Sequence, residues 1–122
     1  MNFSFGAQSF MSINKPLSNS LDLLIGISNY PKGISSYVLS VFGITSKRLE
    51  PYSTKFVGFD FNLEDVFISA NRITRNIGNS YVGPECLLLG ILEHENTNAC
   101  VALKDLGVPL VDLKNEIYSM CA

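Results

Sequence analysis

Asn79-Ser-Tyr-Val-Gly-Pro-Glu-Cys-Leu-Leu-Leu-Gly-Ile91 is the stretch on which the fold turns. Gly83-Pro84 opens a helix, because proline has no N–H to lose in a first turn. Behind it Leu87, Leu88 and Ile91 stand at i, i+1 and i+4, on one helical face. The same pattern stands 64 residues earlier, where Leu23, Leu24, Gly26 and Ile27 match Leu87, Leu88, Gly90 and Ile91. Carried outward without a gap, the shift also pairs Phe3 with Phe67, Ile13 with Ile77, Leu39 with Leu103, Gly43 with Gly107 and Leu49 with Leu113. These are nine identities in the 48 pairs from Phe3/Phe67 to Glu50/Lys114, all apolar or glycine. Two copies of one fold must keep a common core pattern and common turn points.

Each copy reads as four helices. In the second, Asn62 caps a helix, with Asp65 three residues on, and the helix runs to about Asn76 before Gly78 stops it. After the Gly83-Pro84 helix, Asn96 or Thr97 starts a third, striped by Ala99, Ala102, Leu103 and Leu106 and ended by Gly107. Pro109 starts the last, with Leu110, Leu113 and Ile117 aligned. In the first copy Ser20 is expected to cap the helix of Leu23, Leu24 and Ile27. Ser35, Val38, Leu39 and Phe42 make the next stripe, Gly43 ends it and Thr45 caps the fourth helix. The first helix of this copy holds Gly6 and little charge, so it is expected to be short or frayed. Between the copies, Pro51 to Phe61 reads as an extended linker that tucks aromatics against both, with a brief strand over Lys55 to Phe61 as the alternative. The expected division is one domain over 1–122: repeat one 1–52, linker 53–61, repeat two 62–121.

Composition bounds the rest. Hydrophobic residues make up 47%, enough for a core, and charged residues only 16%. Net charge is −2 with no basic run, which argues against nucleic acid as a partner. No apolar run approaches the roughly 20 residues that span a bilayer, so no membrane partner is expected. Met1 to Phe10 lacks the basic start and apolar stretch of a signal peptide. Cys86, Cys100 and Cys121 form no CxxC pair, and with the single His94 they make no zinc pattern. They read as two buried small hydrophobes and one free thiol, suited to a reducing compartment. No metal, cofactor or catalytic residue is expected. His94 and Cys100 fall on opposite sides of a helix break, and Glu93-His-Glu95 reads as a solvated helix end. Asp60, Glu64 and Asp65 precede or start a helix, where the dipole favours them.

With these residues in view, the segment from Asn79 to Ile91 resembles the signature of Clp N-terminal repeats: an Asn, an aromatic, an aliphatic, Gly-Thr-Glu-His and Leu-Leu-Leu-Gly-Leu. The Leu106-Gly107-Val108 turn fits the same repeat. Leu23-Leu-Ile-Gly-Ile27 and Phe42-Gly-Ile44 match more loosely, and Lys55-Phe-Val-Gly-Phe59 is similar to the inter-repeat linker of C-type Clp ATPases. The resemblance implies an all-α, pseudo-twofold bundle of eight helices, two units of four. It implies a domain that recruits substrates and adaptors above an unfoldase ring. No G-x-x-x-x-G-K-[ST] phosphate loop occurs in the chain, so it reads as the docking part without the motor.

Some members of the family bind phosphoarginine through one Glu and one Thr per repeat. Glu85 keeps the Glu in copy two, while Leu21 replaces it in copy one. Asn62 stands at the Thr position of copy two. Glu85 has a second reading, as a carboxylate that complements its helix dipole. Tyr81 belongs to the same segment. Tyr30, in the loop after a helix, and Tyr37 and Tyr52 are candidate interface residues, with burial against the other repeat as the alternative. The expected partners are a Clp ATPase, Clp peptidase subunits, and protein substrates or adaptors. The expectation is a non-enzymatic accessory module. The alternative is an N-terminal domain excised from a full-length C-type Clp ATPase; a small-molecule-binding repeat has only the inter-repeat groove in its favour. Richness in Asn, Ile and Ser with little Ala and Arg points to an organelle gene and the plastid stroma, with bacterial cytoplasm second.

Overall fold

The computed structural model describes residues 19–30, 33–55 and 63–121. Every regular element of any length among them is a helix: α1 (Ser20–Asn29), α2 (Ile34–Val41), α3 (Ser46–Lys55), α4 (Leu63–Ile77), α5 (Pro84–Leu92), α6 (Asn98–Asp105) and α7 (Leu110–Cys121). The fold is all-α, as expected, with seven described helices against the eight anticipated. The helix expected before residue 19, most of the linker and Asn62 lie outside the described residues.

The repeated glycines do equivalent work. Gly43 and Gly107 have φ of +77° and +83°, a region costly for any residue with a Cβ. Each closes its helix by one scheme. Gly43 N–H donates to Ser40 O at 2.9 Å and Ile44 N–H to Leu39 O at 2.8 Å; Gly107 N–H donates to Lys104 O and Val108 N–H to Leu103 O, both at 3.0 Å. These paired bonds take up carbonyls that a helix end leaves orphaned.

The start of α1 corrects an expectation. Asn19, not Ser20, is the cap, and its side chain accepts from Asp22 N–H at 3.0 Å. Ser20 is instead fully buried, and its hydroxyl accepts from Ala99 N–H at 3.0 Å, joining α1 of one copy to α6 of the other. Helix α3 also departs from the reading, since it continues through Pro51 to Lys55. Proline removes the N–H that would donate to Lys47 O, and the Ser53 and Thr54 hydroxyls donate separately to Glu50 O and Pro51 O.

The matched pairs Leu24/Leu88, Leu39/Leu103 and Leu49/Leu113 are all fully buried. They belong to one core, because helices of different copies pack on each other: α1 on α6, and α2 on α7. Within copy two, α5 lies on α4 at Gly90. Polar links span the copies too, with the Tyr52 hydroxyl on α3 donating to the Asp105 carboxylate at the end of α6.

Replacing Leu88 or Leu103 by Ala removes a fully enclosed side chain, so each variant is expected to lose about 2–5 kcal/mol in urea unfolding. A loss under about 1 kcal/mol at both positions would contradict a shared, close-packed core.

Candidate functional site

The segment that opened the sequence reading leads from the end of α4 into α5. Tyr81 projects from it, 59% exposed, and the next residue, Val82, is buried. Gly83 is the extended N-cap of α5, Pro84 its first residue, and Glu85 stands in its first turn. A Cβ on Gly83 would lie 2.5 Å from Glu85 Oε1 and 3.1 Å from Oε2. The carboxylate is thus folded back over the start of its own helix, where no side chain caps the turn and the helix dipole favours a negative group. The Glu85 carboxylate fills the space beside Gly83 that a side chain there would share. In copy one the matching residue, Leu21, is fully buried and carries no charge.

Tyr81 and Glu85 therefore share one surface segment. Tyr30 does not join them there: it is the half-buried C-cap of α1, and its ring lies 3.3 Å from where a Cβ on Gly33 would be. Asn62 lies outside the described residues. Tyr37 is 59% exposed on α2. Tyr52 is held by Asp105, with Lys55 Nζ 5.7 Å from its ring centre.

The polar cluster after α5 is more structured than a solvated helix end. Glu93 is paired with Arg72 of α4, and Glu95 Oε1 lies 3.5 Å from Lys104 Nζ. His94 is half-buried, and its Nε2 is hydrogen-bonded to Ser69 Oγ at 2.9 Å. Sequence reasoning missed Ser69 and Arg72, because only the antiparallel packing of α4 on α5 brings residues about 20 positions apart together. Cys100 is not turned to His94: its thiol donates to Ile91 O at 3.3 Å. Ile68, Asn71, Arg72, Arg75 and Asn76 line an open depression of about 260 Å³ on the outer face of α4.

Cys86 and Cys100 are buried and Cys121 is partly so. Burial raises the Cys86 thiol, against the opposing effect of a bond with Thr74. Burial pushes Cys121 up to about 11, helped by the charges of Glu85 and Cys86. Among the described residues no group of His, Cys, Asp and Glu is placed to hold a metal ion. No described helix is long and apolar enough to cross a membrane.

Residues 58–122, more than half of the chain, match the family model of the Clp repeat (R) N-terminal domain. The chain belongs to that family. The ClpC/MecB negative regulator of genetic competence from Bacillus subtilis is 23% identical over 108 residues, which take in 80% of this chain and 13% of that protein. The chloroplastic chaperone protein ClpC of Pisum sativum is 26% identical over 109 residues, 80% of this chain and 12% of that one. An ATP-dependent Clp protease ATP-binding subunit ClpA homolog from Cyanidium caldarium is 28% identical over 109 residues, 80% of this chain and 13% of its own. The Clp repeat domain here thus spans only 12–13% of the length of these curated relatives. In structure it is similar to the N-terminal domain of the caseinolytic protease associated chaperone ClpD from Arabidopsis thaliana, with a TM-score of 0.74. That likeness covers 99% of this chain and 98% of that one, and at 20% identity it speaks for the fold alone.

The thiols give a pH test of the site. Alkylation of the native chain by iodoacetamide is expected at Cys121 alone, slow at pH 8 and still rising toward pH 11, since only the thiolate reacts. A rate that levels off near the ordinary thiol value of about 8.5 would show that the thiol is not desolvated.

Proposed function

We propose that this domain is a non-catalytic docking module of the Clp chaperone–protease system. Its partners are a Clp ATPase, the Clp peptidase ring, or the substrates and adaptors brought to them. The observation that carries the reading is an intact family core with a surface charge kept in only one copy. Glu85 leads α5, while its counterpart Leu21 is sealed in the core. A reader of two identical ligands needs two charged half-sites; a module that docks by one face does not. In this reading Tyr81 and Glu85 belong to the docking face, with Asn62, at the Thr position of the family pattern, and Tyr30 of the other copy as further candidates. The expected domain boundaries, two repeats joined by a linker, are part of the same proposal.

A second reading has its own support. The matched relatives are all much longer proteins, of which the chain spans 12–13%. The domain then serves as the substrate- and adaptor-binding end of a C-type Clp ATPase. Plastid stroma is the proposed compartment, supported by the chloroplastic pea relative; the Bacillus relative supports bacterial cytoplasm as the alternative.

The test is calorimetric titration of the chain with a purified C-type Clp ATPase, with Clp peptidase, and with phosphoarginine. We expect association with a Clp component and weak or absent phosphoarginine binding. If Glu85 contributes, Glu85→Ala should weaken the association by roughly 1.5–3 kcal/mol, the worth of a hydrogen bond to a charged group. Tight binding of two phosphoarginine molecules per chain would overturn the one-faced reading. Failure to bind any Clp component, substrate or adaptor would remove the docking proposal.

A further inference from the structure

The 64-residue repeat pairs the start of α2 with the start of α6, and the two are finished differently. At α6, the Thr97 side chain accepts from Cys100 N–H at 3.4 Å and the Ser20 hydroxyl accepts from Ala99 N–H at 3.0 Å. The residues in the matching places around α2 are Gly33 for Thr97, Pro84 for Ser20, Ser35 for Ala99 and Ser36 for Cys100. Gly33 has no side chain to cap with, and Pro84 has no hydroxyl. No side chain caps the first turn of α2, and it holds no acidic residue. Its first-turn N–H groups have no acceptor within the helix, and their dipoles add up to a positive end.

A second observation points the same way. The Ser35 side chain is fully buried and its hydroxyl has no hydrogen-bond partner. Its Oγ lies 3.8 Å from where a Cβ on Gly33 would be, so it is aimed at the uncapped end. A buried hydroxyl without a partner is less stable there than an alanine of nearly the same shape. The acidic side chain on the adjoining helix α5, Glu85, is already folded over Gly83 and its own helix start.

We infer that the start of α2, Gly33 to Ser36, is an oxyanion-binding site. The first-turn N–H groups take one oxygen and the Ser35 hydroxyl donates to a second. Gly33 is exposed and Ile34 and Ser36 are half-exposed, so they form the mouth. The Tyr30 ring, half-buried and close against Gly33, forms one wall of the approach to Ser35. The ligand is a single phosphate or carboxylate group, free in solution or presented by a peptide. The site is separate from the docking reading of Glu85 and stands or falls without it.

Amide NMR on the nitrogen-15-labelled chain tests this with two probes, inorganic phosphate and a blocked peptide carrying one Asp. The amides of Ile34, Ser35 and Ser36 are expected to shift saturably with at least one probe. Phosphate alone would mark a free-ion site, and the peptide a site for a partner's carboxylate. Ser35→Ala should keep the fold and weaken binding about tenfold, the loss of one hydrogen bond to a charged group. Ser36→Ala, whose hydroxyl is bonded to Gly33 O, should change it little. Gly33→Asp supplies a built-in carboxylate at the cap, so it should abolish binding and raise Tm. Absence of saturable shifts with both probes would overturn the inference. So would equal shifts at the starts of α1, α5 and α6, or unchanged affinity in Ser35→Ala.

Discussion

Between α4 and α5 there is no room for a side chain at Gly90. A Cβ there would lie 2.7 Å from the Val66 carbonyl oxygen and 3.1 Å from the Ala70 nitrogen. The two helices meet backbone to backbone, and the rest of copy two is arranged around that contact. It sets α5 deep enough that Leu87, Leu88, Leu89, Ile91 and Leu92 are all buried, a helix apolar on nearly every side. It also sets the register that places Arg72 against Glu93 and Ser69 against His94.

The features legible in the sequence are those with local causes. Gly43 and Gly107 were readable as helix ends because a left-handed residue has few substitutes. Gly83-Pro84, Thr45 and Thr97 were readable as helix starts because capping follows from the side chain and its neighbours. The leucine pairs were readable because the 64-residue shift showed them twice. The features that were not legible depend on distant partners. Ser20 has the chemistry of a cap, yet Asn19 before it takes that task and frees Ser20 for Ala99, 79 residues away. Pro51 looked like a helix boundary, but α3 runs on through it to Lys55. Of the candidate residues, Tyr81 and Glu85 lie on one described segment and Tyr30 ends α1 in the other copy.

The two copies share their leucine core and glycine turns but not their helix starts. Their glycine turns and buried leucines match, and selection on packing keeps such positions alike. At the helix starts they diverge: Glu85 against Leu21, Thr97 against Gly33, Ser20 against Pro84. The fold therefore keeps its symmetry in the leucine core and glycine turns and breaks it at the helix starts.

The close approach at Gly90 has the most direct test. In a helix interior alanine is favoured over glycine by about 1 kcal/mol, so propensity alone predicts that Gly90→Ala stabilises the chain. A methyl forced against the backbone of α4 predicts the opposite sign, a loss of roughly 1–3 kcal/mol in urea unfolding. A destabilised Gly90→Ala variant is the expected result. A variant as stable as the parent, or more so, would contradict the backbone contact on which this account of the fold rests.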